Sequence, residues 1–310
     1  MDLATQEING FINIDKSVGL SSHDVVAAVR RLLACRVAKR KVGHAGTLDP
    51  AATGVLPVGV GKATRLIEYI TDCRKSYRAT IVFGLATDSY DAEGKVVASC
   101  SAEHLSEQDV LAVLPQFRGT IAQIPPMVSA LKKRGQPLYK LARSGQEIER
   151  EPRAVTIYDL QYLGGSFIGE RPNIELDITC SRGTYIRSIA HDLGAILGVG
   201  AHLSRLRRTQ VGPFKIEKSY TLEEIGDMAL AGNLEFILPP AFAIDHLPKV
   251  VVSEKQAQRL SQGIAVTDPN FDEGDLAVCR VEEPQGRLVG IARLEEAVLT
   301  MNKVLINCRE

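Results

Sequence analysis

Apolar and polar positions alternate along this chain in two periods, and the switches between them mark out its elements. Phe11-Ile12-Asn13-Ile14 reads as a short strand, followed by a polar turn from Asp15 to Leu20. Val25, Val26, Val29, Leu32 and Leu33 then recur at helical spacing, with Ser21-Ser22 placed to cap the helix. Rough alternation predicts strands from Tyr77 to Leu85 and from Val155 to Leu163. Ile174, Leu176, Ile178 and Cys180 alternate more strictly, as a half-buried strand does. After Gly183, the residues Ile186, Ile189, Ala190, Leu193, Ile196 and Leu197 return to helical spacing, and Gly198 and Gly200 end that helix. Thr221 and Glu224 have the spacing of a capping box. Strands interleaved irregularly with helices predict an α+β core, a mixed β-sheet with flanking helices, rather than a regular βαβ repeat. The chain shows no internal repeat and no low-complexity tract.

Two interruptions divide the pattern. From about 124 to 152 the strand signal weakens, and prolines 125, 126, 137 and 152 accompany Lys132, Lys133, Arg134, Lys140, Arg143 and Arg150. This stretch reads as a basic excursion from the core. The second interruption lies between Pro239-Pro240 and Pro248, after which Val250-Val251-Val252 opens a strand-rich tail. The expected organisation is a first domain over 1–247 that carries the excursion, and a small all-β module over 248–310. A length of 310 residues agrees with roughly two domains.

Charge changes the picture only when it is located. Lys and Arg number 37 and Asp and Glu number 37, which excludes a uniformly basic or an acidic disordered protein. Between His23 and Arg78, however, eleven basic residues face only Asp24, Asp49, Glu68 and Asp72. A second basic cluster, Arg205, Arg207 and Arg208, lies close to Lys215 and Lys218, whereas the tail from Pro248 is slightly acidic. A phosphate backbone as partner accounts for this polarity; so does an ordinary solvated surface. No stretch approaches the roughly 20 apolar residues of a membrane span, and MDLATQEINGF lacks a secretory pattern, so a cytoplasmic protein is expected. Cysteines 35, 73, 100, 180, 279 and 308 form no CxxC pair and sit near no His at zinc spacing, so they are expected to be reduced thiols with no metal.

The most unusual stretch is His44-Ala45-Gly46-Thr47-Leu48-Asp49-Pro50-Ala51-Ala52-Thr53-Gly54-Val55-Leu56, which sets a lone carboxylate among small residues after a basic run. Asp before Pro is confined to extended or turn geometry, which fixes where its carboxylate points, although an Asp-Pro is also a common plain turn. Phosphate-loop and dinucleotide patterns fail here. GxxxxGK[ST] requires Gly where Leu56 stands and a hydroxyl where Ala63 stands, and GxGxxG requires Gly where Thr64 stands. No GxSxG elbow is present.

Gly46 to Leu56, continuing through Val58, Gly61, Thr64 and Arg65, resembles the GxLDPxATGVLxVxxGxxTR signature of the TruB family, the tRNA pseudouridine-55 synthases. Four further stretches agree in order: Lys75-Ser76-Tyr77-Arg78-Ala79 with a K-x-Y motif, Ser129 through Gly145 with an RNA-gripping insertion, Gly183-Thr184-Tyr185-Ile186-Arg187 with GTYIR, and Leu206-Arg207-Arg208-Thr209 through Phe214 with LRRTxxGxF. The resemblance covers residues 10 to 215 well and extends more loosely to a C-terminal PUA-like RNA-binding domain. Two departures stand out. Ser17 replaces a usual proline, and Val128 stands where an aromatic is frequent.

The resemblance implies that the chain isomerises the T-loop uridine 55 of tRNA to pseudouridine, flipping the base out of its stack and using no cofactor. It implies Asp49 as nucleophile and Arg187 as its cationic partner, and Tyr77 as the residue that stacks on the flipped base and assists proton transfer. It places Tyr185 and Leu206 on the same pocket, His44 in the vacated stack, Lys16 beneath the active-site loop, and Lys132 and Arg143 on the RNA. Without the resemblance, Tyr77 and Tyr185 read equally as core aromatics and His44 as a turn histidine. An attacking carboxylate is expected to be ionised inside a cleft that water largely leaves, where burial raises its pKa and a nearby cation opposes that. The partner implied is the tRNA T-stem-loop, with no membrane and no obligate protein partner. The alternatives are a non-catalytic RNA-binding protein or tRNA folding chaperone of the same fold and, more remotely, a guide-RNA-dependent synthase.

Lys132→Ala combined with Lys133→Ala is expected to weaken RNA binding and to lower the slope of log Kd against log salt by about one for each phosphate that is no longer neutralised. Filter binding across a salt series checks this; an unchanged slope would place the RNA path elsewhere.

Overall fold

The computed structural model describes residues 8–34, 41–129, 132–133, 136–137, 148–269, 271 and 274–305. Ten described strands build a mixed sheet: β1 (Gly10–Lys16), β2 (Val42–His44), β3 (Thr53–Val60), β4 (Lys75–Phe83), β5 (Gly119–Gln123), β6 (Arg153–Ser166), β7 (Asn173–Cys180), β8 (Ala201–Val211), β9 (Phe214–Lys215) and β10 (Ile237–Leu238). The path runs β10-β1-β3-β8-β4-β7-β6-β5, with β2 on β3 and β9 on β8. Every pairing between these strands is antiparallel except one. β8 lies parallel to β3, with Arg207 opposite Thr53 and Arg208 opposite Gly54. That short seam joins two antiparallel halves into one sheet. The backbones approach so closely there that a Cβ on Gly54, whose φ is +101°, would stand 2.2 Å from the Arg208 carbonyl oxygen.

Burial follows the side-chain period of two. In β4, Tyr77, Ala79, Ile81 and Phe83 are buried, and in β7 Ile174, Leu176, Ile178 and Cys180 are. The central strands β1 and β3 are covered on both faces, which is why they read as nearly continuous apolar runs. Ile12, Ile14, Leu56 and Val58 pack with helices α1 (Ser22–Ala34), α2 (Glu107–Val113), α3 (Ile186–Ile196) and α4 (Leu222–Leu230). Phe11 and Val55 face the other way, against Leu66, Phe214 and Ile244. The capping signals operate as expected. Asp24 N donates to Ser21 Oγ at 3.2 Å, and the Thr221 and Glu224 backbone amides exchange hydrogen bonds with each other's side chains at 2.7 and 3.2 Å.

The tail forms a second sheet of β11 (Lys249–Val251), β12 (Val266–Thr267), β13 (Leu276–Glu282), β14 (Leu288–Glu295) and β15 (Val298–Val304), in the order β11-β13-β14-β15-β12. It is not all-β. Helix α5 (Glu254–Ser261) lies between β11 and β12, started by a capping box of Ser253 and Gln256 and anchored by Ala257 and Leu260 in the tail's own core. The Ser253-to-Gln256 spacing is the signal that the run of valines obscures. Ile291 and Leu305 pack into the cluster around Phe11 and Val55, and Arg65 Nη1 donates to the Val304 carbonyl at 2.6 Å, so the tail is docked on the first sheet. Cys73, Cys100 and Cys180 are free thiols, Cys180 is buried, and Cys279 is buried in the tail; Cys35 and Cys308 lie outside the described residues. Among the described residues no helix is long and apolar enough to cross a membrane.

Gly54→Ala combines a disfavoured φ with a steric clash at the seam and is expected to lose at least about 2 kcal/mol of unfolding free energy. Denaturant melting checks this, and an unchanged midpoint would show that the seam accepts a Cβ.

Candidate active site

The loop between β2 and β3 carries the Asp-Pro, and side chains from distant parts of the chain hold its carbonyls at Gly46, Thr47, Leu48 and Pro50. Arg208, in β8, donates to the Gly46 and Thr47 carbonyls at 3.0 and 3.3 Å and through Nε to the Val55 carbonyl at 2.8 Å. Ser22 Oγ accepts from Leu48 N at 2.9 Å and donates to Leu48 O at 3.2 Å. The Asp49 carbonyl accepts from Ala52 N at 3.1 Å, and the Pro50 carbonyl accepts from Gly19 N at 2.9 Å and from Lys16 Nζ at 3.2 Å. Gly46, at φ +110°, supplies a backbone conformation that side chains with a Cβ rarely adopt. With Leu48 buried as its anchor, the loop is held along its length, and the Asp49 carboxylate is directed at Arg187.

Asp49 Oδ2 lies 3.0 Å from Arg187 Nη2. Arg187 is itself fixed on all sides. Its Nη1 donates to Asp91 Oδ2 at 3.1 Å and to the Ser89 carbonyl at 3.2 Å, and its Nη2 donates to the Val128 carbonyl at 2.9 Å. Tyr185 is the N-cap of its helix α3, and there Gln123 both accepts from Tyr185 N at 2.7 Å and donates to Tyr185 O at 3.0 Å. Gln123 thus serves as a cap that local sequence does not provide. The Val128 departure leaves the Arg187 contact intact because the contact uses a backbone atom.

Beside this pair opens a pocket of about 280 Å³ whose wall includes Asp49, Lys75, Tyr77, Tyr185, Leu206 and Arg208. Burial pushes the Tyr77 phenol above its ordinary value, partly opposed by the neighbouring Arg208 guanidinium, and burial does the same to Tyr185. Burial also lowers the Lys16 and Lys75 ammonium groups to about 8.

Of the residues singled out by sequence, Asp49, Tyr77, Tyr185, Arg187 and Leu206 therefore share one pocket, and Lys16 lies fully buried beneath the loop. His44 sits outside the wall, at the end of β2, its ring edge-on to His23 at 5.4 Å, and burial lowers its imidazole. The Lys132 side chain and Arg143 lie outside the described residues. Two expectations change. The Asp49 side chain is 44% exposed while Arg187 is 5% exposed, so the carboxylate stands at an open pocket and its partner, not the carboxylate, is buried. The Arg205–Arg208 cluster is likewise not a uniform basic face: Arg208 is buried, and Arg207 pairs with Asp15 at 2.7 Å. Asp91 and Gln123 escape a sequence reading because each acts through a partner about 60 or more residues away.

Among the described residues no group of three or more His, Cys, Asp or Glu is arranged to hold a metal ion. Two family models match the chain: the TruB family pseudouridylate synthase N-terminal domain over residues 30–186, and the tRNA pseudouridylate synthase B C-terminal domain over residues 187–241. Curated relatives named tRNA pseudouridine synthase B are 52% identical in Symbiobacterium thermophilum, covering 84% of each chain, and 44% identical in Moorella thermoacetica, covering 93% of this chain and 94% of the relative. Among solved structures, an H/ACA ribonucleoprotein bound to a substrate RNA containing 2′-deoxyuridine aligns with a TM-score of 0.73 at 27% identity, over 97% of this chain and 86% of the other. An archaeal box H/ACA Nop10–Cbf5 complex aligns equally well, at 26% identity over 100% of this chain and 91% of the other. With its signature loop, its GTYIR arginine and its α+β sheet brought together in one pocket, the chain belongs to the TruB family of pseudouridylate synthases.

Proposed function

We propose that the protein isomerises uridine 55 in the T-loop of tRNA to pseudouridine, with Asp49 as nucleophile and without a cofactor. The observation that carries this reading is a carboxylate held by a buried arginine at the edge of a base-sized pocket, on a loop pinned by Arg208 through its carbonyls. The names and 44–52% identities of the curated relatives support tRNA as substrate over a guide-RNA-dependent substrate, since the ribonucleoprotein neighbours are 26–27% identical.

The reaction breaks the bond from N1 of uracil to C1′ of the ribose and forms one from C5 to C1′, while C5 loses a proton and N1 gains one. Asp49 supplies electrons to the substrate, and Arg187 orients the carboxylate through their contact at 3.0 Å. Half-exposure suits that role: the carboxylate is solvated until the flipped base displaces water from the pocket. Flipping costs a few kcal/mol of stacking, which the flat side chains of Tyr77 and Tyr185 on the pocket wall can offset. A phenol keeps its proton at neutral pH, and burial only strengthens this for Tyr77, which meets the base as a neutral ring with a hydroxyl donor. The docked tail, read as a PUA-like module, would extend the RNA path beyond the pocket.

Tritium release from C5-tritiated tRNA, or from a synthetic T-stem-loop, tests the reading. Asp49→Asn should lower the rate by more than about 1000-fold with RNA binding retained, the scale on which loss of a nucleophile registers. Full activity in that variant would sink the assignment, and an inactive parent chain that still binds and refolds tRNA would favour the chaperone. Asp91→Asn removes one of the two carboxylates that hold Arg187. It should slow the single-turnover rate by about 10- to 100-fold with little change in Kd, part of the cost of breaking a buried ion pair. A rate equal to that of the parent would show that Arg187 needs only Asp49.

A further inference from the structure

Asp91 and the Ser89 carbonyl converge on a single nitrogen of Arg187, at 3.1 and 3.2 Å, although one is a side chain and the other a backbone atom two residues earlier. The residue between them makes this possible. Tyr90 has φ +66°, one of three non-glycine residues at positive φ among the described residues, a conformation that Cβ-bearing residues adopt only under constraint. The constraints on its backbone are visible: Leu203 N donates to the Tyr90 carbonyl at 2.9 Å, and the Asp91 carboxylate accepts from Ser89 Oγ at 2.6 Å and Glu93 N at 3.1 Å. Its ring is constrained as well. Tyr90 stacks on His191 with centroids 3.9 Å apart and planes 14° apart. His191 lies one helical turn beyond Arg187 on α3, so it presents its ring on the same side of the helix as the guanidinium. The stack therefore ties the turn that carries Asp91 to the very helix that carries Arg187, independently of the ion pair between them.

We propose that Tyr90 and His191 are positioning residues for the reaction at Asp49, their stack holding the strained turn in the one geometry that lets Asp91 and Ser89 orient Arg187 toward the nucleophile. The inference rests on the pseudouridylation reading above. Neither ring lines the pocket, so neither is asked to touch RNA or the reacting atoms. Burial, opposed by Asp192 and reinforced by Arg150 nearby, lowers the His191 imidazole, and the two rings pack as flat faces. A flat uncharged ring of another kind should then substitute, whereas a methyl group should not.

The test is a single-turnover tritium-release assay on the T-stem-loop, with RNA Kd measured in parallel, each variant assayed well below its own Tm. His191→Ala should lower the single-turnover rate by about 5- to 10-fold while Kd stays within about twofold, and His191→Phe should restore the rate. Tyr90→Asn keeps a side chain that tolerates positive φ but removes the ring, and should match His191→Ala. The double variant should be no slower than either single one, because the two rings act as one contact. A His191→Ala rate within twofold of the parent, a failure of Phe to restore it, a loss confined to Kd, or multiplying losses in the double variant would each overturn the proposal. Should a single variant lose its fold, the comparison of His191→Phe with the parent decides alone, equality supporting the stack and loss overturning it. A parent chain without tritium release would instead overturn the pseudouridylation reading, so the two failures are distinguishable.

Discussion

The approach of β3 to β8 at Gly54 and Arg208 is the contact on which the site depends. A parallel seam of two residue pairs joins the antiparallel halves of the sheet, and only a residue without a Cβ fits opposite the Arg208 carbonyl. The same pairing sets Arg208 under the loop before β3, where its guanidinium reaches three carbonyls of that loop and strand. A buried guanidinium costs desolvation unless its donors are occupied, and here backbone oxygens occupy them. Sheet closure and loop rigidity therefore rest on the same contact, and through the loop so does the position of the Asp49 carboxylate.

A second regularity concerns how the site handles charge. Lys16 and Lys75 are buried, as Arg208 is, and they too are satisfied by carbonyls: Lys16 by Ser17, Leu20 and Pro50 at 2.8–3.2 Å, and Lys75 by Thr71 and Cys73 at 2.7 and 3.0 Å. Carbonyl dipoles hold a cation in place without cancelling its charge, as a carboxylate would. The positive potential behind the pocket is thus retained for the carboxylate of Asp49 and for an incoming polyanion. Arg187 is the exception, paired with the carboxylates of both Asp49 and Asp91. Its surroundings are correspondingly dense, with contacts from Ser89 and Asp91 and from Val128 at the start of the basic excursion.

How much of this is legible in the residues differs by the range of the interaction. Helix α1, the capping box at Thr221 and the alternation in β7 are readable because their signals are local: a spacing, a cap, a period. The α5 helix escapes such a reading although its cap at Ser253 is local, because the preceding valines dominate the pattern of the tail. The basic cluster at Arg205–Arg208 reads as one surface, but alternation along β8 sends Arg207 outward to Asp15 and Arg208 inward to the loop, so neighbours with the same charge have opposite roles. Asp91 carries no local signal, since its meaning comes from a guanidinium 96 residues later.

By itself the sequence determined the α+β class, the position of the Asp-Pro loop, the helix that bears Arg187 and the family to which these motifs belong, because periodicity, turn chemistry and ordered motifs are written in consecutive residues. Tertiary structure alone decided that Asp49 stands half-exposed while its partner is buried, that Lys16 and Arg208 hold the loop by its carbonyls, and that Tyr90 and His191 meet. Those outcomes depend on backbone oxygens and on side chains converging from separate strands and helices. Their positions follow from the register of the sheet and the packing of α3 against it, and no local pattern encodes either.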